Sequence, residues 1–488
     1  MPYRDLNEFI HRLDSAGEII RVREPVRAEL EITAISDRMM KQPDGGKAIL
    51  FEKVIPSGGT EPCEIPVLVN AYGSKKRMSW ALGVENVEEI ANRIRELTKP
   101  EIPDGFVEKI KMLPKLVELS TFPPKIVKSA PCQEITMEPP DLTRIPVCKC
   151  WPDDGGAFFT LPQIITKDLH SGVRNVGMYR MQVYDSTTTG MHWHIHHGGS
   201  GQFADYRKAG RRMEVAVALG GDPCLGYVAS SPLPDGIDEY LFAGFIRKKA
   251  VELVQCKTID LQVPADAEII LEGYVEPHET RIEGPFGDHT GFYSLPDEYP
   301  VFHVTAITHR IDPVYPHTIV GSPPMEDYYM GWATERIFLP LIQLILPEIV
   351  DYSLPAEGIF HNFVFAKIRK RFPGHAFKVM NAIWGLGQLM FSKYIVVVDE
   401  WVDVHDLSQV IWVWGNHVEP DRDVLISKGP RDALDHATPI PHYGSKMGFD
   451  ATEKWPEEGH ARKWPDRIVM DDEILDRMKE FLLKLGLS

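Results

Sequence analysis

Between residues 157 and 310 the chain offers five strand candidates: Phe158–Thr166, Asn175–Tyr184, Met213–Leu219, Glu268–Val275 and Val301–Thr308. Each is bounded by Gly, Pro or Asp. Short strands in this number, separated by turns, need one shared core, which a closed or split β-barrel supplies. A helical interruption around Glu239–Lys249 follows the turn Pro234-Asp235-Gly236. The flanks read differently. Leu6, Phe9, Ile10 and Leu13 recur at helical spacing, with Asp5 and Glu8 as a capping pair and Gly17 as the stop. Apolar runs at Ala48–Phe51 and Val67–Val69, and a helix from Val87 to Leu97 capped by Asn86, complete a small α/β unit. Prolines are dense from Pro114 to Pro152, the signature of extended connecting chain. Downstream, helices Ile337–Ile345 and Leu407–Val413 flank the buried strand Tyr394–Val398, again α/β.

The resulting expectation is a multidomain α+β protein. It has an N-terminal α/β domain (1–113), a proline-rich connecting segment (114–156), a central β-barrel domain (157–315) and a C-terminal α/β domain with a terminal helix (316–488). The terminal stripe Ile474, Leu475, Met478, Phe481, Leu482 and Leu485 either packs within the chain or docks on another subunit. Net charge is −17, from 53 basic and 70 acidic residues, which argues against a general nucleic-acid or anionic-membrane binder. No apolar run of 18 residues is present, and the opening Met1-Pro2-Tyr3-Arg4-Asp5 lacks the apolar core of a signal peptide. Six scattered cysteines form no disulfide framework, so reduced thiols and a cytoplasmic location are expected.

Chemistry concentrates in four places. Glu283-Gly-Pro-Phe-Gly-Asp288-His-Thr-Gly291 cannot form a regular helix and sets two carboxylates on one shaped turn. It reads either as a solvated hairpin with incidental charge or as an acid/base pair with separated pKa values. In Asn175-Val-Gly-Met-Tyr-Arg180 a polar residue and a cation sit in an apolar strand and need partners. Arg180 is expected to pair with one acid of the turn and hold it ionised, leaving the other free to carry a proton. Met191-His192-Trp193-His194-Ile195-His196-His197-Gly198-Gly199 carries four histidines. Three on one strand make a possible but poor zinc site, because alternate side chains diverge along the strand. One histidine with Asn175 and Glu239 instead offers a mixed, hard donor set suited to Mn²⁺ or Mg²⁺ shared with a phosphate. The glycines after the histidines offer N–H groups to that phosphate. Walker, Rossmann and nucleophile-elbow motifs are absent.

These motifs, with Gly444-Ser-Lys-Met-Gly-Phe-Asp450 near the end, resemble in order and spacing the UbiD family of reversible decarboxylases. The resemblance covers essentially the whole chain. It implies a central split β-barrel of flavin-reductase type between two α/β domains, a terminal helix that helps build a homo-oligomer, and a prenylated FMN cofactor supplied by a flavin prenyltransferase. It also implies Mn²⁺ (or Mg²⁺) on the cofactor phosphate, held by Asn175, His192 and Glu239, with K⁺ nearby. His194 or His196 is the alternative to His192. Met178, Tyr179, Arg180, Trp193, His197, Gly198 and Lys393 are the implied cofactor contacts. Glu283, Arg180 and Asp288 map onto the family's catalytic acid–arginine–acid arrangement, with Asp288 as proton donor. The implied reaction is decarboxylation of an aromatic or α,β-unsaturated acid through a covalent prenylated-FMN adduct, with a hydroxybenzoate-type or quinone-precursor acid as substrate. Carboxylation in the reverse direction and a flavin-free, histidine-rich metalloenzyme are the rivals.

Overall fold

The computed structural model describes residues 2–98, 120–193, 198–234, 236–360 and 362–486. Its largest sheet is organised on one long hairpin. The strands Ile269–Glu283 and Asp297–His309 pair antiparallel from Ile269 against His309 to Glu283 against Asp297. The sequence pattern ends the first strand at Val275 and starts the second at Val301. The ladder is irregular between Val275 and Thr280, where Pro277 has no N–H to give a partner. Pairing then resumes, and this extension carries Glu283 to the sheet rim.

The sheet runs in the order Arg174–Met178, Gln163–Lys167, Met213–Leu219, Ile269–Glu283, Asp297–His309 and Thr188–Gly190. Ile135–Met137, from the proline-rich segment, also pairs with Asp297–His309. The path is open: among the described residues its end strands, Arg174–Met178 and Thr188–Gly190, do not pair with each other. Both faces are covered. Ile164, Val215, Val217 and Leu271 enter one core, while Ile165, Ala216, Ala218 and Ile270 enter another with the N-terminal helix. That double burial is why Met213–Leu219 reads as a nearly continuous apolar run.

The N-terminal helix Leu6–Ser15 starts as its sequence indicates. The Asp5 side chain accepts the Glu8 N–H at 3.0 Å, and Gly17 leaves the helix at φ +68. A four-stranded sheet follows, in the order Ile19–Val22, Ala48–Phe51, Val67–Val69, Tyr315–His317. Its last strand lies parallel to Val67–Val69 but arrives only after the large sheet is complete.

The C-terminal sheet has the order Ile349–Ser353, Phe363–Ile368, Tyr394–Asp399, Tyr443–Asp450, Val424–Pro430. Helix His375–Ile383 packs on one face and Leu407–His417 on the other. The helix expected from Ile337 begins already at Glu326 and runs to Ile345. From it Arg336 bridges Glu88 at 2.7 Å and Asp351 at 2.6 Å, tying the first and last domains together. The terminal helix Asp472–Lys484 buries none of its side chains in this chain, and Leu475, Met478 and Phe481 lie exposed. All six cysteines are unpaired, and among the described residues no helix is long and apolar enough to cross a membrane.

Candidate active site

Arg180 follows the edge strand Arg174–Met178 and reaches across to the hairpin rim. Its Nε donates to Glu283 Oε1 at 3.1 Å, its Nη1 to Asp288 Oδ2, and its Nη2 to Ser294 Oγ at 3.1 Å. The guanidinium lies 4.6 Å from the centre of the Phe286 ring. The connection between the hairpin strands is shaped to permit this. Gly284 sits at φ +93, and its N–H donates to Gln182 Oε1 at 2.7 Å. Gly287 donates to Asp154 Oδ1 at 2.7 Å, and a Cβ there would lie 2.2 Å from the Trp151 ring, so only glycine fits. Asp154 also accepts the N–H groups of Cys150 and Trp151, which fixes the turn from below.

The expectation that Arg180 would pair with one acid and leave the other free is corrected here: it bonds both. Glu283 also accepts from His192 Nδ1, and the His192 ring stacks 4.3 Å from Tyr299. Burial pushes the Glu283 carboxyl up, but the His192 hydrogen bond and the Arg180 charge outweigh it and hold the group low. Burial also opposes ionisation of Asp288. The charge and hydrogen bonds of His289, with the charge of Arg180, reverse this and hold Asp288 well below the usual carboxylate range. Both acids therefore rest as carboxylates. His192 is held neutral, by burial first and then by Arg180. Its Nδ1–H points to Glu283, which makes Nε2 the unprotonated nitrogen, the tautomer a metal ligand needs.

The second half of the site lies on the edge strand itself. Glu239 opens the helix Glu239–Arg247, and its Oε2 accepts the Val176 N–H at 3.0 Å, which brings its carboxylate beside Asn175. Burial raises the Glu239 pKa to about 7, with Asp238 adding to the rise. A buried carboxylate so penalised is suited to a cation. Asn175 Nδ2 is buried beside the Tyr179 hydroxyl without meeting it at hydrogen-bond geometry. Trp193 Nε1 is likewise buried with no hydrogen-bond partner among the described residues. Gly177 lies against the Tyr179 ring. A Cβ there would lie 2.4 Å from the Tyr179 ring, so the residue makes room for Tyr179 rather than for a ligand. Gly198 opens the helix Gly198–Lys208, and a helix N-terminus suits a phosphate. Met178 is anchored through its N–H to Ala229 O at 2.9 Å.

Of the expected site residues, the structure brings together Arg180, Glu283, Asp288 and His192 in one group, and Asn175, Glu239 and Tyr179 in another. The described contacts of His192 are with the acid group. Lys393 stands apart, bridging Asp435 at 2.9 Å within the C-terminal domain. His194, His196 and His197 lie outside the described residues. Sequence reasoning missed Ser294, Gln182, Asp154 and Tyr299, none of which belongs to a motif. It also passed over His289, which stands inside the quoted turn. Glu326 is buried and bonded to the Tyr72 N–H and Thr318 Oγ1, a structural role.

Three domain models of 3-octaprenyl-4-hydroxybenzoate carboxy-lyase match the chain: the N-terminal domain over residues 10–94, the Rift-related domain over 125–323 and the C-terminal domain over 328–451. An uncharacterized protein of Aquifex aeolicus is 54% identical over 488 residues, covering 100% of this chain and 99% of its own. The closed form of vanillic acid decarboxylase from Sedimentibacter hydroxybenzoicus superposes with a TM-score of 0.85 at 27% identity, over 99% of this chain and 100% of that one. The UbiD-class enzyme HmfF from Pelotomaculum thermopropionicum, in complex with FMN, gives 0.79 at 28% identity, over 98% and 99%. Motifs, fold and these matches agree: the chain belongs to the UbiD family of carboxy-lyases.

Proposed function

We propose that this chain decarboxylates an aromatic acid, of hydroxybenzoate or quinone-precursor type, with prenylated FMN bound at the edge of the central sheet. In this reading the open sheet is one side of a split barrel of flavin-reductase type. The observation that carries it is Arg180 bonded at once to Glu283 and Asp288, beside buried donors that lack partners among the described residues. Asn175, Glu239 and His192 would hold a divalent cation on the cofactor phosphate, with K⁺ nearby. Trp193, Tyr179, Met178, His197 and the Gly198 helix end would hold the flavin. When bound, the modified flavin supplies an electron sink for the pair released as CO2 leaves.

The protein's own task is then to orient the acid, exclude water and return one proton to the carbon that lost CO2. Asp288 delivers that proton, and Arg180 fixes its position. Glu283 stays ionised, held by Arg180 and by the Nδ1–H of His192. The exposed face of the terminal helix supports a homo-oligomer. The test is coexpression with a flavin prenyltransferase, followed by a panel of aromatic acids read by CO2 release and by deuterium exchange into the products. Purified protein that retains flavin and turns over at least one acid is the expected outcome. Protein that retains no flavin, or releases no CO2 from any acid, overturns the reading.

A further inference from the structure

Each decarboxylation consumes one proton: a carboxylate departs as CO2, and the carbon takes a proton in its place. If Asp288 delivers it, Asp288 must be reloaded every turnover, yet it rests ionised. The group on its other side is His289. Asp288 Oδ1 accepts both the His289 backbone N–H at 2.7 Å and His289 Nδ1 at 2.8 Å, while Oδ2 is occupied by Arg180. The histidine ring is mostly buried, with 19% of its side chain exposed, and it lies 6.0 Å from the Phe360 ring. The charges that face it come from three elements: Asp288 on its own turn, Asp327 in the first turn of helix Glu326–Ile345, and Asp432 of the C-terminal domain.

We infer that His289 is the proton store of this site, a positioning residue that acts through Asp288 by passing its Nδ1 proton along the hydrogen bond to Oδ1. The inference rests on the decarboxylase reading. The steps balance: imidazolium and carboxylate become imidazole and carboxylic acid, the acid protonates carbon and returns to carboxylate, and imidazole recovers a proton from solvent. Three carboxylates around one imidazole keep it charged. Burial works against the charge, but Asp288, then Asp327 and Asp432, raise the His289 pKa to about 9. Asp327 itself rises to about 6 through burial, opposed by His289. The C-terminal domain thereby takes part in protonation, because Asp432 belongs to it.

The test compares wild-type holoenzyme with His289→Asn, whose amide can still donate to Asp288 but can store no proton. Expected are a kcat lower by about 10–100-fold, a KM within about twofold, unchanged flavin content, and loss of the wild-type decline in kcat above about pH 9. His289→Gly should regain activity with added imidazole. A readout independent of turnover is the histidine-selective NMR titration, with the signal assigned by its absence in His289→Asn. The ring should stay protonated at pH 7 in the wild type and titrate at lower pH in Asp288→Asn. A neutral His289 at pH 7 overturns the inference whatever the activity. An active wild type whose His289→Asn variant keeps its kcat and alkaline limb overturns the inference and spares the decarboxylase reading. A wild type that releases no CO2 from any acid of the panel defeats both.

Discussion

The two halves of the site differ in how complete they are. At the acid end, Arg180, Glu283, Asp288, His192, His289 and Ser294 are joined to one another by side-chain hydrogen bonds. At the donor end, Trp193 Nε1 and Asn175 Nδ2 are buried without well-formed partners among the described residues, and Glu239 has burial raising its pKa to about 7. Leaving a buried polar group unpaired costs about 1–3 kcal/mol. On the proposed reading, the acid end is assembled by the chain's own side chains, and the donor end is the part that a bound group would complete. Such a division suits an enzyme whose hard chemistry is carried by a bound group, while the protein supplies position and protons.

The sharpest way to break this comparison is at Asp288. Asp288→Asn should lower kcat by about 10²–10⁴-fold, the usual range for a general acid, with flavin content unchanged. Lost flavin would show that the two halves are not separable. Arg180→Met removes the shared partner of two buried carboxylates and should cost about 3–5 kcal/mol in a urea titration of the cofactor-free protein. A smaller loss would mean that His192 and His289 hold the acids without it.

Glu239→Ala should leave the acid end intact and lower flavin retention by about tenfold or more, read from the flavin absorbance per chain. The same residue gives a pH signature. Retention should weaken below about pH 7, as the Glu239 carboxylate takes up its proton. In cofactor-free protein the sign reverses. The native state holds this proton to higher pH than the unfolded chain, so stability is lost as pH rises from the ordinary glutamate range through about 7. The smallest effect belongs to Trp193→Phe. It deletes a buried donor that lacks a partner, so cofactor-free stability should hold or rise by under about 1 kcal/mol, while flavin affinity falls a few-fold.

Much of this arrangement is legible in the sequence because it is local. Glycine and proline announce the turn from Glu283 to Gly291, apolar runs locate Met213–Leu219 and Val67–Val69, and the period of 3.6 locates Leu6–Ser15. What fails to show is set by distance or by irregularity. Arg180 meets its two acids across 103 and 108 residues, and no local pattern encodes that it serves both. The strand to Glu283 reads as ending at Val275 because Pro277 interrupts the alternation. The helix from Glu326 shows only from Ile337, because Gly331 and a run of aromatic residues hide its first turns. His289 is in plain view beside Asp288, but Asp327 and Asp432, which add to the rise in its pKa, are brought to it by the fold from another domain.

The strand Tyr315–His317 has a consequence for how the chain is made. It completes the N-terminal sheet beside Val67–Val69, so Val67–Val69 stays an unpaired edge on that side until the ribosome has delivered residue 317. The whole central sheet must emerge in the interval. Folding from the N-terminus forward, one domain after the next, is thus closed to this protein. Its first domain stays unfinished until its second has been synthesised, and a chain truncated before Tyr315 would present the backbone of Val67–Val69 as a site for aggregation.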